Sequence, residues 1–273
     1  MRLKIIFPVV TAAFFAAFCQ LAAGELALYD AAGGSVCLQR AWMQLLAERN
    51  DLSKAGTEIT VKTTAEFDAD LLDEKSAAII EQNVKVDEKR FVRQLCAVLP
   101  VVVAVPANCP LDNISLSDLQ RIYCGKVTSW ARLGGSETTL RVAGSPAGSP
   151  VYRAFMSLVM HRSGSDESSK LIRPGMLELD NPEGSIALLQ ALPGVIVFGG
   201  WELAEQKKKN YKLLKINNVY PDKNNVVSGA YLPAMRFDLI FTQKISGEDA
   251  KKIKEFFKSA VKSEKNLLLV EDF

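Results

Sequence analysis

The stretch that most constrains the fold covers residues 99–135 and joins two different kinds of segment. It opens with an unbroken apolar run, Leu99–Val105, whose lack of alternation predicts a buried strand. A link rich in Pro and Asn follows over 106–113. Ser115 and Asp118 then have the spacing of a helix cap, ahead of apolar residues on one helical face. A buried strand that leaves one compact unit and enters another through such a link predicts a hinge between two lobes.

The composition excludes several classes of function. The 273 residues are 48% hydrophobic and carry a formal net charge of +2, so the chain can bury a full core and has no excess of basic residues for nucleic acid. His161 is the only histidine and no Cys-x-x-Cys occurs, which argues against a zinc site. The Gly-Ser-Pro motifs at 144 and 148 lack the Gly-x-Ser-x-Gly spacing of hydrolases. We therefore expect a monomer that is not an enzyme, without a cofactor, metal or nucleic-acid partner.

The first 24 residues have the pattern of a signal peptide. Arg2 and Lys4 give a positive start, residues 5–18 are apolar but too short for a bilayer span of about 20 residues, and Ala22–Gly24 supplies small residues for cleavage. An uncleaved anchor is the alternative. Cleavage predicts a mature chain from residue 25 that is periplasmic or secreted.

Two Ser/Gly loops each lead from a predicted strand into a predicted helix. Such a loop places backbone N–H groups at a helix N-terminus, which favours an anion. Each loop alone is as well explained by a serine that caps its helix. Together, on opposite sides of a hinge, they predict one anion held between the lobes. The loop residues are Gly33, Gly34, Ser35, Ser145, Gly148 and Ser149.

The remaining pattern alternates strands and helices. We expect a helix over 87–95 and a strand over 235–241 that returns the chain to the first lobe. Between them the pattern predicts strands over 140–143 and 194–198 and a helix over 150–161. An amphipathic helix over 247–263 follows.

The hinge stretch resembles that of periplasmic phosphate-binding proteins, the solute receptors of phosphate ABC importers. The resemblance rests on Asn-x-Pro at 108–110, Ile-Ser-Leu-x-x-Leu at 114–119, and Ile-Tyr-x-Gly-x-x-x-x-Trp at 122–130. It implies an α/β chain with the two-lobe type 2 periplasmic-binding-protein fold, in which mixed sheets are flanked by helices and two crossing strands form the hinge. Lobe 1 would comprise 25–105 plus 228–273, and lobe 2 would comprise 106–227.

The resemblance also implies a function. We expect an exported solute-binding protein that holds phosphate or another small anion between its lobes and delivers it to the membrane permease of an ABC importer. The alternative is a degenerate member of the family that acts as an envelope scaffold or interaction module without binding phosphate.

The family's ligand residues carry over only in part. Its Ser-Gly-Thr aligns with Ser149-Pro150-Val151, which keeps the serine but lacks one N–H and one hydroxyl. The family's Arg falls near Ser145, and the Asp that accepts a hydrogen bond from protonated phosphate falls among residues 76–80, where there is none. Arg153, or Arg141, is the expected substitute for the missing cation.

Removal of the signal peptide leaves four cysteines in an oxidising compartment, where disulfides form. Four cysteines allow three connectivities, and free buried thiols are a further alternative. The hinge hypothesis favours Cys37–Cys96 and Cys109–Cys124, because a disulfide between the lobes would oppose closure.

Overall fold

The computed structural model describes residues 26–30, 59–63, 67–161, 170–206, 210–262 and 264–270. A six-stranded mixed sheet has the order β13-β4-β12-β3-β1-β2, and a five-stranded mixed sheet has the order β10-β5-β9-β7-β8. We call the six-stranded sheet with its helices the first lobe, and the five-stranded sheet with its helices the second lobe. The strands are β1 (Leu26–Asp30), β2 (Ile59–Thr63), β3 (Ser76–Glu81), β4 (Phe91–Pro100), β5 (Val102–Pro106), β6 (Asn113–Ile114), β7 (Arg141–Gly144), β8 (Leu177–Glu178), β9 (Val195–Gly199), β10 (Tyr211–Leu213), β11 (Lys215–Ile216), β12 (Ala234–Thr242) and β13 (Leu268–Leu269).

The helices begin at capped positions that the sequence makes recognisable. Ser115 accepts a hydrogen bond from the Asp118 N–H at 2.9 Å, and Ser149 accepts one from Tyr152 at 3.1 Å. Among the described residues no helix is long and apolar enough to cross a membrane. The helices are α1 (Leu116–Tyr123), α2 (Pro150–Phe155, continued as a π-helix over Met156–Met160), α3 (Pro182–Ala191), α4 (Trp201–Glu205), α5 (Lys223–Ser228) and α6 (Gly247–Val261).

The chain crosses between the lobes at two adjacent points. Val101 separates β4, in the six-stranded sheet, from β5, in the five-stranded sheet. Its N–H donates to the carbonyl of Pro233 at 2.7 Å, and its carbonyl accepts from the hydroxyl of Tyr231 at 2.9 Å, just before β12 begins. The two crossings are therefore hydrogen-bonded to each other. The change of sheet comes earlier in the chain than the predicted link at 106–113.

The helix predicted over 87–95 is wrong. From Phe91 the chain is in β4, which pairs with β12 along its length, from Phe91 opposite Thr242 to Pro100 opposite Ala234. Phe91 is buried and Val92 is 43% exposed, the alternation of a strand with one covered face. Pairing with a long neighbouring strand outweighs the helical spacing of the apolar residues.

An aromatic cluster forms the centre of the second lobe. The rings of Phe155 and Phe198 stack with centroids 4.0 Å apart and planes 5° apart, and Tyr123 packs edge-on against both. The Tyr123 hydroxyl donates to the carbonyls of Ala143 and Ile196, and burial raises its pKa well above the ordinary value. Helix α2 rests on this cluster through Phe155, so the cluster fixes the position of the helix on the second lobe.

The structure contains no disulfide between Cys109 and Cys124, and both are free, as is Cys96. Helix α1 lies between Cys109 and Cys124 in the chain, and its eight residues rise about 12 Å, further than the 4.4–6.8 Å between Cα atoms that a disulfide usually spans. The Cys96 thiol is buried and contacts the Phe237 carbonyl at 3.2 Å. Cys37 lies outside the described residues, and so does the predicted signal peptide.

Candidate functional site

The carboxyl ends of the parallel strands define one edge of each sheet. In the first lobe β1 and β3 run parallel and end at Asp30 and Glu81. In the second lobe β7 and β9 run parallel and end at Gly144 and Gly199. Ligands of open α/β sheets bind at such edges, where strands hand over to loops and helices. Two cavities lie there, one at each end of the helical segment 150–160.

The first of these, which we call the Ser149 cavity, has a volume of about 320 Å³ and lies at the start of α2. Ser145, Ser149 and Val151 line it. Gly148 has a φ of +84°, a left-handed conformation that favours glycine and turns the chain into the helix. The Ser149 hydroxyl accepts a hydrogen bond from the Tyr152 N–H, and Pro150 has no N–H. Val151 therefore carries the one backbone N–H between Ser149 and Tyr152 that this cap does not use.

The Ser149 cavity is acidic rather than basic. Asp180, Glu202 and Glu264 contribute carboxylates, and no lysine or arginine lines it within the described part of the chain. Carboxylates and a helix N-terminus act on an anion in opposite senses, because the helix end attracts negative charge and the carboxylates repel it. In the Ser149 cavity, the N-terminus of α2 therefore favours an anion and the carboxylates oppose it.

The first lobe also reaches the Ser149 cavity. Asn266, which precedes β13, accepts a hydrogen bond through Oδ1 from the Glu202 N–H of α4 at 3.4 Å. A Cβ on Gly200 would lie 2.0 Å from this oxygen and 2.9 Å from Val151 Cγ2. Gly200 has an ordinary extended backbone, with φ −87°, so space is the reason for glycine at this position. The contact closes one wall of the cavity across the lobes.

The second cavity, which we call the Glu81 cavity, has a volume of about 310 Å³ and lies between the lobes. The first lobe supplies Glu81, Gln82 and Asn83, at the end of β3, together with the start of β12. The second lobe supplies Ser157 and Leu158 from the π-helix. A π-helical turn is rare and is often found at functional sites.

Charge of both signs meets at the Glu81 cavity. Burial raises the pKa of Glu81 above its usual value, while a hydrogen bond from Asn83 and the positive charge of Arg153 both lower it in part. Arg153 stands one helical turn before Ser157, which lines the same cavity as Glu81, so the two residues lie on one face of the segment 150–160. A cation of the second lobe thus acts on a carboxyl group of the first.

Arg236, the arginine that lines the Glu81 cavity, has a structural role. Arg236 donates to the carbonyls of Val226 and Val227 at the end of α5, at 3.0 and 2.7 Å. Its partial burial lowers its pKa, while the charge of Asp238 acts in the other direction. Arg236 is therefore bound to a helix C-terminus, and Arg153 is the better candidate for contact with a ligand.

The structure separates the residues that the sequence proposed for the site. Ser145 and Ser149 line the Ser149 cavity, Gly148 forms the turn that leads to it, and Arg153 acts on Glu81. Arg141 is exposed at the beginning of β7, at the opposite end of that strand, where it donates to the Pro193 carbonyl at 3.3 Å. Arg141 lines neither cavity. The other proposed loop, Gly33, Gly34 and Ser35, lies outside the described residues.

Sequence reasoning missed Glu81, Asn83 and Ser157. The acidic residue was sought among 76–80, and Glu81 is the next residue after that window. Its position at the carboxyl end of a buried strand was the signal that could have identified it. Among the described residues no cluster of three or more potential metal ligands occurs.

Comparisons with known proteins identify the family and the fold. A family model described as "PBP superfamily domain" matches residues 47–256. The phosphate-binding protein PstS of Bacillus subtilis is 24% identical over 184 residues, which are 67% of this chain and 58% of the relative. The chain therefore covers less than two thirds of that relative's length.

Solved structures resemble the chain over most of its length. PstS from Borrelia burgdorferi has a TM-score of 0.67 at 14% identity, with 90% of this chain and 99% of that one covered. An ABC-type phosphate transport receptor from Vibrio cholerae has a TM-score of 0.58 at 19% identity, with 88% and 94% covered. These likenesses confirm the predicted two-lobe α/β fold and the resemblance to phosphate-binding proteins.

Proposed function

The chain belongs to the PBP superfamily, and on that premise we propose that it is an exported solute-binding protein that holds phosphate or another small anion between its lobes. The carrying observation is the Glu81 cavity itself, which residues of both lobes line and where the positive charge of Arg153, from the second lobe, acts on Glu81, from the first lobe. An anion bound there would contact both lobes and favour their closure.

The two groups suit a protonated oxyanion. The Arg153 guanidinium can donate two parallel hydrogen bonds to an oxyanion and supplies the positive charge that a desolvated anion needs. The Glu81 carboxylate can accept a hydrogen bond from a protonated phosphate oxygen, and it repels an oxyanion that has no proton to donate.

The start of α2 supports the same ligand class. The helix end at Ser149, with the Val151 N–H, favours negative charge, whereas the carboxylates of Asp180 and Glu202 in that cavity oppose it. We therefore assign the anion to the Glu81 cavity, where the charge of Arg153 acts, rather than to the Ser149 cavity. The closed form would then present a joint surface of both lobes to the permease of an ABC importer, after export to the periplasm or beyond the cell.

Thermal unfolding of the purified protein with a panel of anions tests the proposal. A ligand that binds only the folded state increases the free energy of unfolding by RT ln(1 + [L]/Kd), about 2.7 kcal/mol at 100 times Kd. The melting temperature rises as a consequence. Phosphate is expected to raise it more than sulfate does at equal concentration and ionic strength.

The matched variants are Arg153→Gln and Arg141→Gln. Both remove one arginine charge from the second lobe, but the charge of Arg153 acts on Glu81, whereas Arg141 is exposed at the opposite end of β7. Loss of the phosphate shift in Arg153→Gln alone would support the proposal. If the unmodified protein shows no shift with millimolar phosphate or any other anion of the panel, the anion-receptor function is wrong.

A further inference from the structure

A single arginine fixes the turn that forms the first-lobe wall of the Glu81 cavity. The turn runs from Glu81 to Val84 and carries Glu81 and Asn83 into the cleft. We infer that Arg93 is a positioning residue for this wall, an inference that rests on the proposed function because it concerns the orientation of the same Glu81. Arg93 lines neither cavity itself and would act through the turn.

The Arg93 guanidinium donates to three successive parts of the turn. Its Nη1 donates to the Val84 carbonyl at 3.0 Å, and its Nη2 donates to the Gln82 carbonyl at 2.6 Å and to the Glu81 carbonyl at 3.4 Å. These carbonyls point back into the first lobe, toward β4. With their oxygens held on that side, the side chains of the turn are left to face the cavity.

Asp238 determines how the guanidinium is oriented. This residue of β12 is only 1% exposed, and its Oδ2 accepts a hydrogen bond from Arg93 Nε. Its Oδ1 is buried and has no hydrogen-bond partner among the described residues, so Arg93 is the group that directly pairs with this charge. Since the guanidinium is planar, fixing Nε against Asp238 directs both Nη groups at the turn.

Two backbone hydrogen bonds complete the arrangement. The Val84 N–H donates to the Glu81 carbonyl at 3.0 Å and closes the turn, and the Gln82 N–H donates to the Arg236 carbonyl at 2.9 Å and ties it to β12. The Glu81 carbonyl therefore accepts from both Val84 and Arg93. The turn, the ion pair and the start of β12 form one connected network beneath the ligand wall.

Lysine at this position separates the charge of Arg93 from its geometry. Arg93→Lys keeps a cation beside Asp238, but an ammonium group is a point donor that cannot reach the carbonyls of three successive residues. The variant is therefore expected to fold while its turn loosens. Arg173→Lys is the matched control, because Arg173 also donates to a carbonyl, that of Leu140 at 3.1 Å, in the other lobe and away from both cavities.

Hydrogen exchange of the Gln82 and Val84 amides, measured without ligand, tests the contact with the turn. We expect Arg93→Lys to accelerate exchange of both amides about tenfold, which is the loss of roughly one to two hydrogen bonds, while the amides of β4 keep their protection. Arg173→Lys is expected to leave the turn unchanged. Equal exchange in Arg93→Lys and the unmodified protein would overturn the inference.

Calorimetric titration with inorganic phosphate tests the consequence for binding. Arg93→Lys is expected to raise the phosphate Kd about fivefold in the unmodified background and less than about twofold in a Glu81→Gln background. A merely structural role would give the same factor in both backgrounds and would overturn the inference. If the unmodified protein does not bind phosphate, the proposed function fails, and the exchange measurement still decides whether Arg93 holds the turn.

Discussion

The two lobes hold their sides of the cleft by opposite means. In the second lobe, helix α2 rests on the stacked rings of Phe155 and Phe198, an apolar support. In the first lobe, the turn that carries Glu81 rests on the ion pair of Arg93 and the buried Asp238. Apolar packing contributes stability directly, whereas a buried ion pair spends much of its attraction on desolvation and gives orientation in return. The comparison indicates a second lobe built for stability and a first-lobe wall built for precise placement.

Removal of the first-lobe cation is expected to have the largest effect. Arg93→Met leaves the Asp238 carboxylate buried without its partner, which should lower the free energy of unfolding by about 3–5 kcal/mol. The double variant Arg93→Met, Asp238→Leu removes both charges and should recover most of that loss. Denaturant unfolding measures both variants, and a double variant no more stable than the single one would contradict this account of the first lobe.

A methyl group added at Gly144, beside the stacked rings of the second lobe, should have the next largest effect on stability. A Cβ at Gly144 would lie 2.2 Å from Cε1 of Phe198, whose ring is held against Phe155 and cannot move away. Gly144→Ala should therefore cost about 1–3 kcal/mol by overpacking. Gly247→Ala is the control, because nothing lies within 4 Å of its Cβ position. Similar unfolding free energies for the two variants would show that the ring is not fixed.

The cap of α2 should have a smaller effect on stability and none on binding. Ser149→Ala should cost about 1 kcal/mol, the usual value for a lost N-cap. Ser246→Ala removes the equivalent cap of α6, where Ser246 accepts from the Asp249 N–H at 3.1 Å, and should cost about the same. Neither variant is expected to reduce the phosphate shift in melting temperature, because the anion is assigned to the Glu81 cavity, which Ser149 does not line. A reduced shift in Ser149→Ala alone would place the anion at the start of α2 instead.

The smallest effect is the pH dependence contributed by Glu81. Its folded-state pKa is raised from 4.5, so above this value the folded protein binds more protons than the unfolded chain and stability falls as pH rises through the folded-state pKa. Glu81→Gln should remove this decline and be relatively more stable on the alkaline side of the window. The difference should be below about 1 kcal/mol, since solvent screens a half-buried group. Unfolding curves between pH 4 and 7 measure it, and parallel pH profiles would contradict the assigned shift.

The sequence was most informative where one local pattern acts alone. The Ser115 and Ser149 caps and the strand at 235–241 appear in the structure near their predicted positions, whereas the apolar run predicted to be one strand over 99–105 is divided between β4 and β5. It failed at 87–95, because the apolar spacing there fits a helix as well as a strand and β12 decides between them. It also placed the link between lobes after Val105, because an apolar run contains no signal for the point at which it changes sheet.

At the ligand site, too, the residues set by a local pattern could be predicted and those set by distant contacts could not. Ser145, Ser149 and Arg153 could be proposed from local spacing and from the resemblance, since each depends on one loop or one helix. The sequence by itself thus determined an α/β chain with a hinge and helix starts suited to an anion. Only the tertiary structure decided that Glu81 lines the cleft where the charge of Arg153 acts on it, that Arg141 lies at the far end of its strand, and that Arg93 and Asp238 support the wall. Each of these depends on strands and helices far apart in the chain, whose pairing is set by the packing of the whole core.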